Sequence, residues 1–118
     1  MVSPGDYAYF TTTYEPLNGN RVKAKALDDR AGCSLLAELL HESFDVPVCG
    51  VFTVQEEVGL RGAGTAAYSL EPDLAIVLEA TTASDTPGTK DHKHATTVGA
   101  GPCLTFMDRS AIPSPHLL

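Results

Sequence analysis

The chain has 118 residues, the size of one ordinary domain, with 43% hydrophobic residues and 15 acidic against 8 basic side chains, a formal net charge of -7. That balance argues against nucleic acid or an anionic membrane surface as partner, because both attract basic proteins. No stretch approaches the ~20 apolar residues that span a bilayer, and Met1-Val-Ser-Pro-Gly-Asp6 has neither the basic nor the apolar part of a secretory leader, so the cytoplasm is the expected compartment.

Residues 7–14 are rich in aromatic and β-branched side chains and predict a strand, followed by a turn over residues 16–20 and a short strand over 21–26. From Ala31 the period changes. Cys33, Leu36, Leu39 and Leu40 share one helical face, with Ser34, Glu38, His41 and Glu42 on the other, which predicts a helix over 30–43 with Asp28 or Asp29 at its start. Residues 46–55 are nearly continuous apolar sequence, as in a strand covered on both faces. Gly59, Gly62 and Gly64 open a second helix, which Glu71-Pro72-Asp73 closes. Residues 74–78 predict another buried strand, 81–97 a polar loop, and 103–107 a last short strand.

This order is an α/β pattern with a mostly parallel sheet. Two helices cannot cover both faces of such a sheet, so the chain reads as part of a larger domain. Cys33, Cys49 and Cys103 form no CxxC and read as three small buried hydrophobes in a reducing compartment.

Chemistry concentrates where the strands end. In open α/β sheets sites form beyond the carboxyl ends of the strands. There Asp28 follows Ala26, the pair Glu56-Glu57 follows the apolar run through Val54, and Glu79 follows Leu78. Adjacent carboxylates oppose each other's ionisation, a difficulty that a cation would remove. On residue pattern alone two readings stay open, a divalent-metal site and a set of solvated strand ends and helix caps. If Glu56 and Glu57 continue a strand they point to opposite sides, so one can face a metal while the other accepts a proton from activated water. A glycosidase pair, which flanks its bond at about 5 to 9.5 Å separation, fits adjacent residues poorly.

Four segments occur in this order: Ala26-Leu-Asp-Asp-Arg-Ala-Gly-Cys33, Phe52-Thr-Val-Gln-Glu-Glu-Val-Gly-Leu-Arg-Gly-Ala63, Leu78-Glu-Ala-Thr-Thr-Ala-Ser-Asp-Thr-Pro-Gly88, and Gly101-Pro102 followed by Met107-Asp108. Together they resemble the tetrahedral (TET-type) aminopeptidases of peptidase family M-forty-two, a group of glutamyl, leucyl and lysyl aminopeptidases with some endoglucanase-labelled members. The resemblance implies a three-layer α/β/α catalytic domain and two divalent metal ions, zinc or cobalt. It implies metal ligands at Asp28 (bridging), Glu57 and Glu79, with Glu56 as the general base. It further implies a cis peptide bond after Asp28, peptide substrates and a homo-oligomeric parent.

The departures from the family pattern matter as much. Two histidine ligands, one in a His-x-Asp motif well upstream and one far downstream, have no counterpart in this chain. Residues 1–20 resemble the end of an inserted β-domain and its junction, and 21–118 part of the catalytic domain. The expectation is therefore an internal fragment of a longer metallo-aminopeptidase, inactive alone. The rival is a non-catalytic scaffold that keeps the fold without its chemistry.

Among other candidates, His92-Lys93-His94 could chelate but sits in a polar loop, and His41 and His116 read as exposed. Asp85, in Asp-Thr-Pro-Gly, reads as a turn-stabilising acid, Asp29 as a capping or supporting one. The glycines at 59, 62 and 64 make a poor phosphate loop with two acids just before them.

Overall fold

The computed structural model describes residues 1–118, which divide into two units, Met1–Ala80 and Thr81–Leu118. The first unit holds both α-helices and both strands. Strands β1 (Glu15–Leu17) and β2 (Arg21–Lys23) pair antiparallel, Glu15 opposite Lys23 and Leu17 opposite Arg21. The loop Asn18-Gly19-Asn20 turns the chain with left-handed backbone at Gly19 (φ 74) and Asn20 (φ 55), the residue types that tolerate it. Lys23 Nζ lies 2.8 Å from Glu15 Oε2 across the pair. The strand expected over 7–14 is displaced into this hairpin, because the Asn-Gly-Asn loop sets the register and residues 7–14 find no facing strand.

Helix α1 (Leu27–Leu39) contains two residues with non-helical backbone, Asp28 (ψ 108) and Asp29 (ψ 51), so the uninterrupted helical run is 30–39. It begins where the sequence places it and ends earlier than residue 43. Leu40, at its end, still donates to Leu36 O, but His41 and Glu42 donate to Glu38 O and Leu39 O, three residues back, and this tighter closure ends the helix. Gly50 lies under Leu40; a Cβ there would meet Leu40 Cδ2 at 2.8 Å. Helix α2 (Arg61–Leu70) ends at Glu71, whose N–H still reaches Ala67 O at 2.9 Å while its left-handed backbone (φ 44) turns the chain out of the helix before Pro72.

The expected parallel sheet is not formed within this chain. The sheet present is the two-stranded antiparallel hairpin, and residues 46–55, 74–78 and 103–107 join no ladder. A strand exists only through its neighbour's hydrogen bonds, and these segments have no neighbouring strand in the 118 residues. Their apolar side chains are accordingly bare: Ile76 and Val77 are each 80% exposed, and no hydrophobic side chain anywhere is buried. Apolar burial is the main term that offsets roughly 1–2 kcal/mol of backbone entropy per ordered residue. These segments have the composition of buried strands without the burial.

The second unit, Thr81–Leu118, is built from turns and two short 3-10 helices, Asp91–Lys93 and Pro115–Leu117. Thr86-Pro87-Gly88-Thr89 closes through Thr89 N–H to Thr86 O (3.0 Å), with Gly88 at φ 87 as such a turn requires. Ala83 O accepts from both Ala95 and Thr96, and Asp85 Oδ2 accepts from Val98 N–H at 3.0 Å. Asp85 thus ties the two ends of a long loop together instead of stabilising its own turn. His94 Nε2 meets Thr89 O at 3.3 Å, and the thiol of Cys103 donates to Thr96 Oγ1 at 3.1 Å. Cys33, Cys49 and Cys103 are all free and exposed, not buried as their residue type suggests, because the chain forms no apolar core to take them in. No helix is long and apolar enough to cross a membrane.

Candidate metal centre

The site is built on the irregular start of α1. Ala26 takes left-handed backbone (φ 54), and the Asp28–Asp29 peptide bond is cis, as the resemblance implies. Asp29 Oδ1 accepts the N–H of Gly32 at 2.9 Å, the side-chain cap of the run that begins at Arg30. Gly32 is the one fully buried residue in the chain, and a Cβ there would collide with the Asp29 carboxylate. The residue type at 32 therefore keeps the cap closed.

Glu79, just after the apolar segment 74–78, comes to the same place. One carboxylate oxygen from each of Asp28, Asp29 and Glu79 lies within 4.8 Å of the other two. Glu79 Oε1 also accepts the N–H of Ala80 at 3.0 Å. Loss of water raises the Glu79 pKa, the Ala80 hydrogen bond opposes this, and a hydrogen bond with Asp28 and the charges of Asp29 and Asp28 raise it further; the net direction is upward from 4.5. Unit charges 4 Å apart repel by ~1 kcal/mol in bulk water and by more at a protein surface. A divalent cation would reverse that repulsion, and three carboxylate oxygens are donors that zinc, cobalt or manganese accept.

Asp28 and Glu79, placed in the ligand set from sequence, are thus brought together. The third acid beside them is Asp29. Its capping role was legible from its position before a helical period, but its approach to Glu79 was not, because that depends on the chain turn at 26–29. Glu56 and Glu57 stand outside this group. They lie exposed at the turn before α2, where Gln55 adopts left-handed backbone (φ 58). The strand period is broken there, so alternation cannot assign the two glutamates to opposite faces. None of the four histidines joins the acidic group.

All of residues 1–118 match the family described as M42 glutamyl aminopeptidase. The chain belongs to that family. It is 44% identical over 119 aligned residues to a putative aminopeptidase of Acetivibrio thermocellus, covering 99% of this chain and 35% of that protein. It is 38% identical to the glutamyl aminopeptidase of Lactococcus lactis subsp. cremoris, over 91% of this chain and 30% of that protein. Among solved structures, an aminopeptidase from the archaeon Desulfurococcus kamchatkensis superposes with a TM-score of 0.75 at 44% identity, covering 79% of this chain and 26% of the other. The chain spans about a third of the length of the curated M-forty-two relatives it matches. Helices, hairpin and this neighbour are together compatible with an α/β fold.

Proposed function

We propose that the chain is part of the catalytic domain of a dinuclear, metal-dependent aminopeptidase that removes N-terminal residues from peptides. The observation that carries the reading is the approach of Asp28, Asp29 and Glu79 to within 4.8 Å, in a chain that matches an aminopeptidase family from end to end. In this reading Asp28, Glu57 and Glu79 would hold two divalent ions, zinc or cobalt, with Asp28 shared between them. Asp29 supports Asp28 while its other duty, the helix cap, fixes the backbone between them. Bound metal would polarise the scissile carbonyl and lower the pKa of water. Glu56, with its carboxylate exposed and outside the acidic group, would take a proton from the attacking water and hand it to the departing amine.

Three carboxylates without imidazole hold a divalent ion loosely, so two histidine ligands are proposed to come from residues outside this chain. The same larger protein would supply the layers that cover residues 46–55 and 74–78, completing a three-layer α/β/α domain with a mostly parallel sheet. Residues 1–20 would close an inserted β-domain and 21–118 belong to the catalytic one. The complete protein would be a cytoplasmic homo-oligomer, and the 118 residues alone would be inactive.

The decisive test uses the full-length protein that contains this chain, assayed on a panel of aminoacyl anilides and analysed for metal content. Glu56→Gln should lower turnover on the order of 10²–10⁴-fold with bound metal unchanged. Retained turnover in that variant would remove Glu56 from the mechanism. The absence of histidine from the acidic group also favours a second reading, a non-catalytic scaffold of the same fold; a full-length protein free of metal and without peptidase activity would establish it.

A further inference from the structure

An α-helix ordinarily leaves its first backbone N–H groups without partners, facing solvent or a capping side chain. Helix α2 has no side-chain cap. Instead four consecutive N–H groups, those of Gly59, Leu60, Arg61 and Gly62, donate to three consecutive carbonyls of the segment that carries the acidic pair. Gly59 and Leu60 bond to Glu56 O (3.0 and 2.8 Å), Arg61 to Gln55 O (3.2 Å) and Gly62 to Val54 O (3.0 Å). The turn bearing Glu56 and Glu57 is thereby folded back onto the end of the helix and held by main chain alone.

Gly62 is what permits the approach. A Cβ at position 62 would collide with Val54 O and stand 2.7 Å from Val54 N, and both are backbone atoms that cannot swing aside. Two residues along the contrast is plain: Gly64, in the same helix, would meet nothing within 4 Å. Leu60 and Gln55 take left-handed backbone (φ 58 at each) to close the loop, so there is little slack to absorb a displacement.

We infer that Gly62 is a positioning residue for the Glu56-Glu57 turn: its missing side chain lets α2 clamp residues 54–56, and the clamp sets where both carboxylates stand. This rests on the role proposed above for Glu56. Relief of the collision moves the turn by roughly 1 Å, and misplacement of that size at a reacting group costs on the order of 10²-fold in rate.

The experiment compares Gly62→Ala and Gly64→Ala in the full-length protein. Gly62→Ala should lower kcat on the order of 10²-fold with KM held within about twofold, while Gly64→Ala keeps both. Wild-type kcat in Gly62→Ala overturns the inference, as does a loss that merely follows the fraction unfolded. Amide hydrogen exchange supplies a readout that needs no activity and, in the wild type, no variant. Leu60, Arg61 and Gly62 should exchange more slowly than Glu57 and Val58, and Gly62→Ala should abolish that difference where Gly64→Ala preserves it. Free exchange at 60–62 in the wild type overturns the clamp. An inactive wild type with protected amides refutes the peptidase reading and leaves the clamp standing.

Discussion

The two helices begin in opposite ways. At α1 a side chain does the capping: the Asp29 carboxylate takes the N–H of Gly32, and the same acid crowds Asp28 and Glu79. At α2 the main chain does it, through the carbonyls of Val54, Gln55 and Glu56, and the carboxylates of Glu56 and Glu57 are left with no structural duty. The difference teaches how one chain keeps two kinds of acid. Those at α1 are tied into the local architecture and suited to holding a fixed charge. Those at α2 ride on a fixed backbone with free side chains, which leaves them open to the different roles proposed above for Glu56 and Glu57.

Substitution at Asp29 tests this contrast most strongly. In the full-length protein Asp29→Ala should cost ~1 kcal/mol of stability through the lost cap and weaken metal binding, read by thermal unfolding and metal titration. Asp29→Asn keeps an acceptor for Gly32 N–H, so it should recover the stability but not the affinity. Equal destabilisation by both variants would show that charge, and not the cap, is what Asp29 contributes.

At α2 the counterpart concerns Gly64, which no capping or packing contact requires. Gly64→Ala should stabilise the helix by roughly 0.5–1 kcal/mol, seen as a small rise in Tm. A fall would mean that a part of the protein outside these residues packs against that position.

The smallest effect concerns protons. The raised pKa of Glu79 means that, in metal-free protein, the folded state keeps a proton that the unfolded chain loses above 4.5. Stability from this group is therefore full below 4.5 and lost as pH rises through the folded value. Metal binding runs the other way, weakening as pH falls, because the ion needs the ionised carboxylate. Glu79→Gln should flatten the first dependence in thermal unfolding against pH. Since the group is largely exposed, solvent screening keeps the change small.

What sequence made legible follows the range of the forces involved. The helical period from Ala31, the cap at Asp29 and the stop at Glu71-Pro72 are local, and all three are found where the residues place them. The hairpin slipped out of the aromatic run into Glu15–Lys23 because a three-residue loop, not propensity, chose its register. Residues 46–55 and 74–78 carry the composition of buried strands, but pairing depends on a neighbouring strand, and these segments join no ladder. At the site, the acids were visible one by one from the residue pattern. The left-handed turns at Ala26 and Gln55, which decide which acids meet, leave no mark in hydrophobic periodicity.

The bare apolar run at 74–78 has a consequence for the life of the protein in a cell. Side chains such as Ile76 and Val77, if not covered in time, offer an adhesive edge to any other unpaired strand. Any species that leaves these side chains uncovered would be prone to aggregate. Chaperone capture or rapid degradation is the fate its surface chemistry predicts.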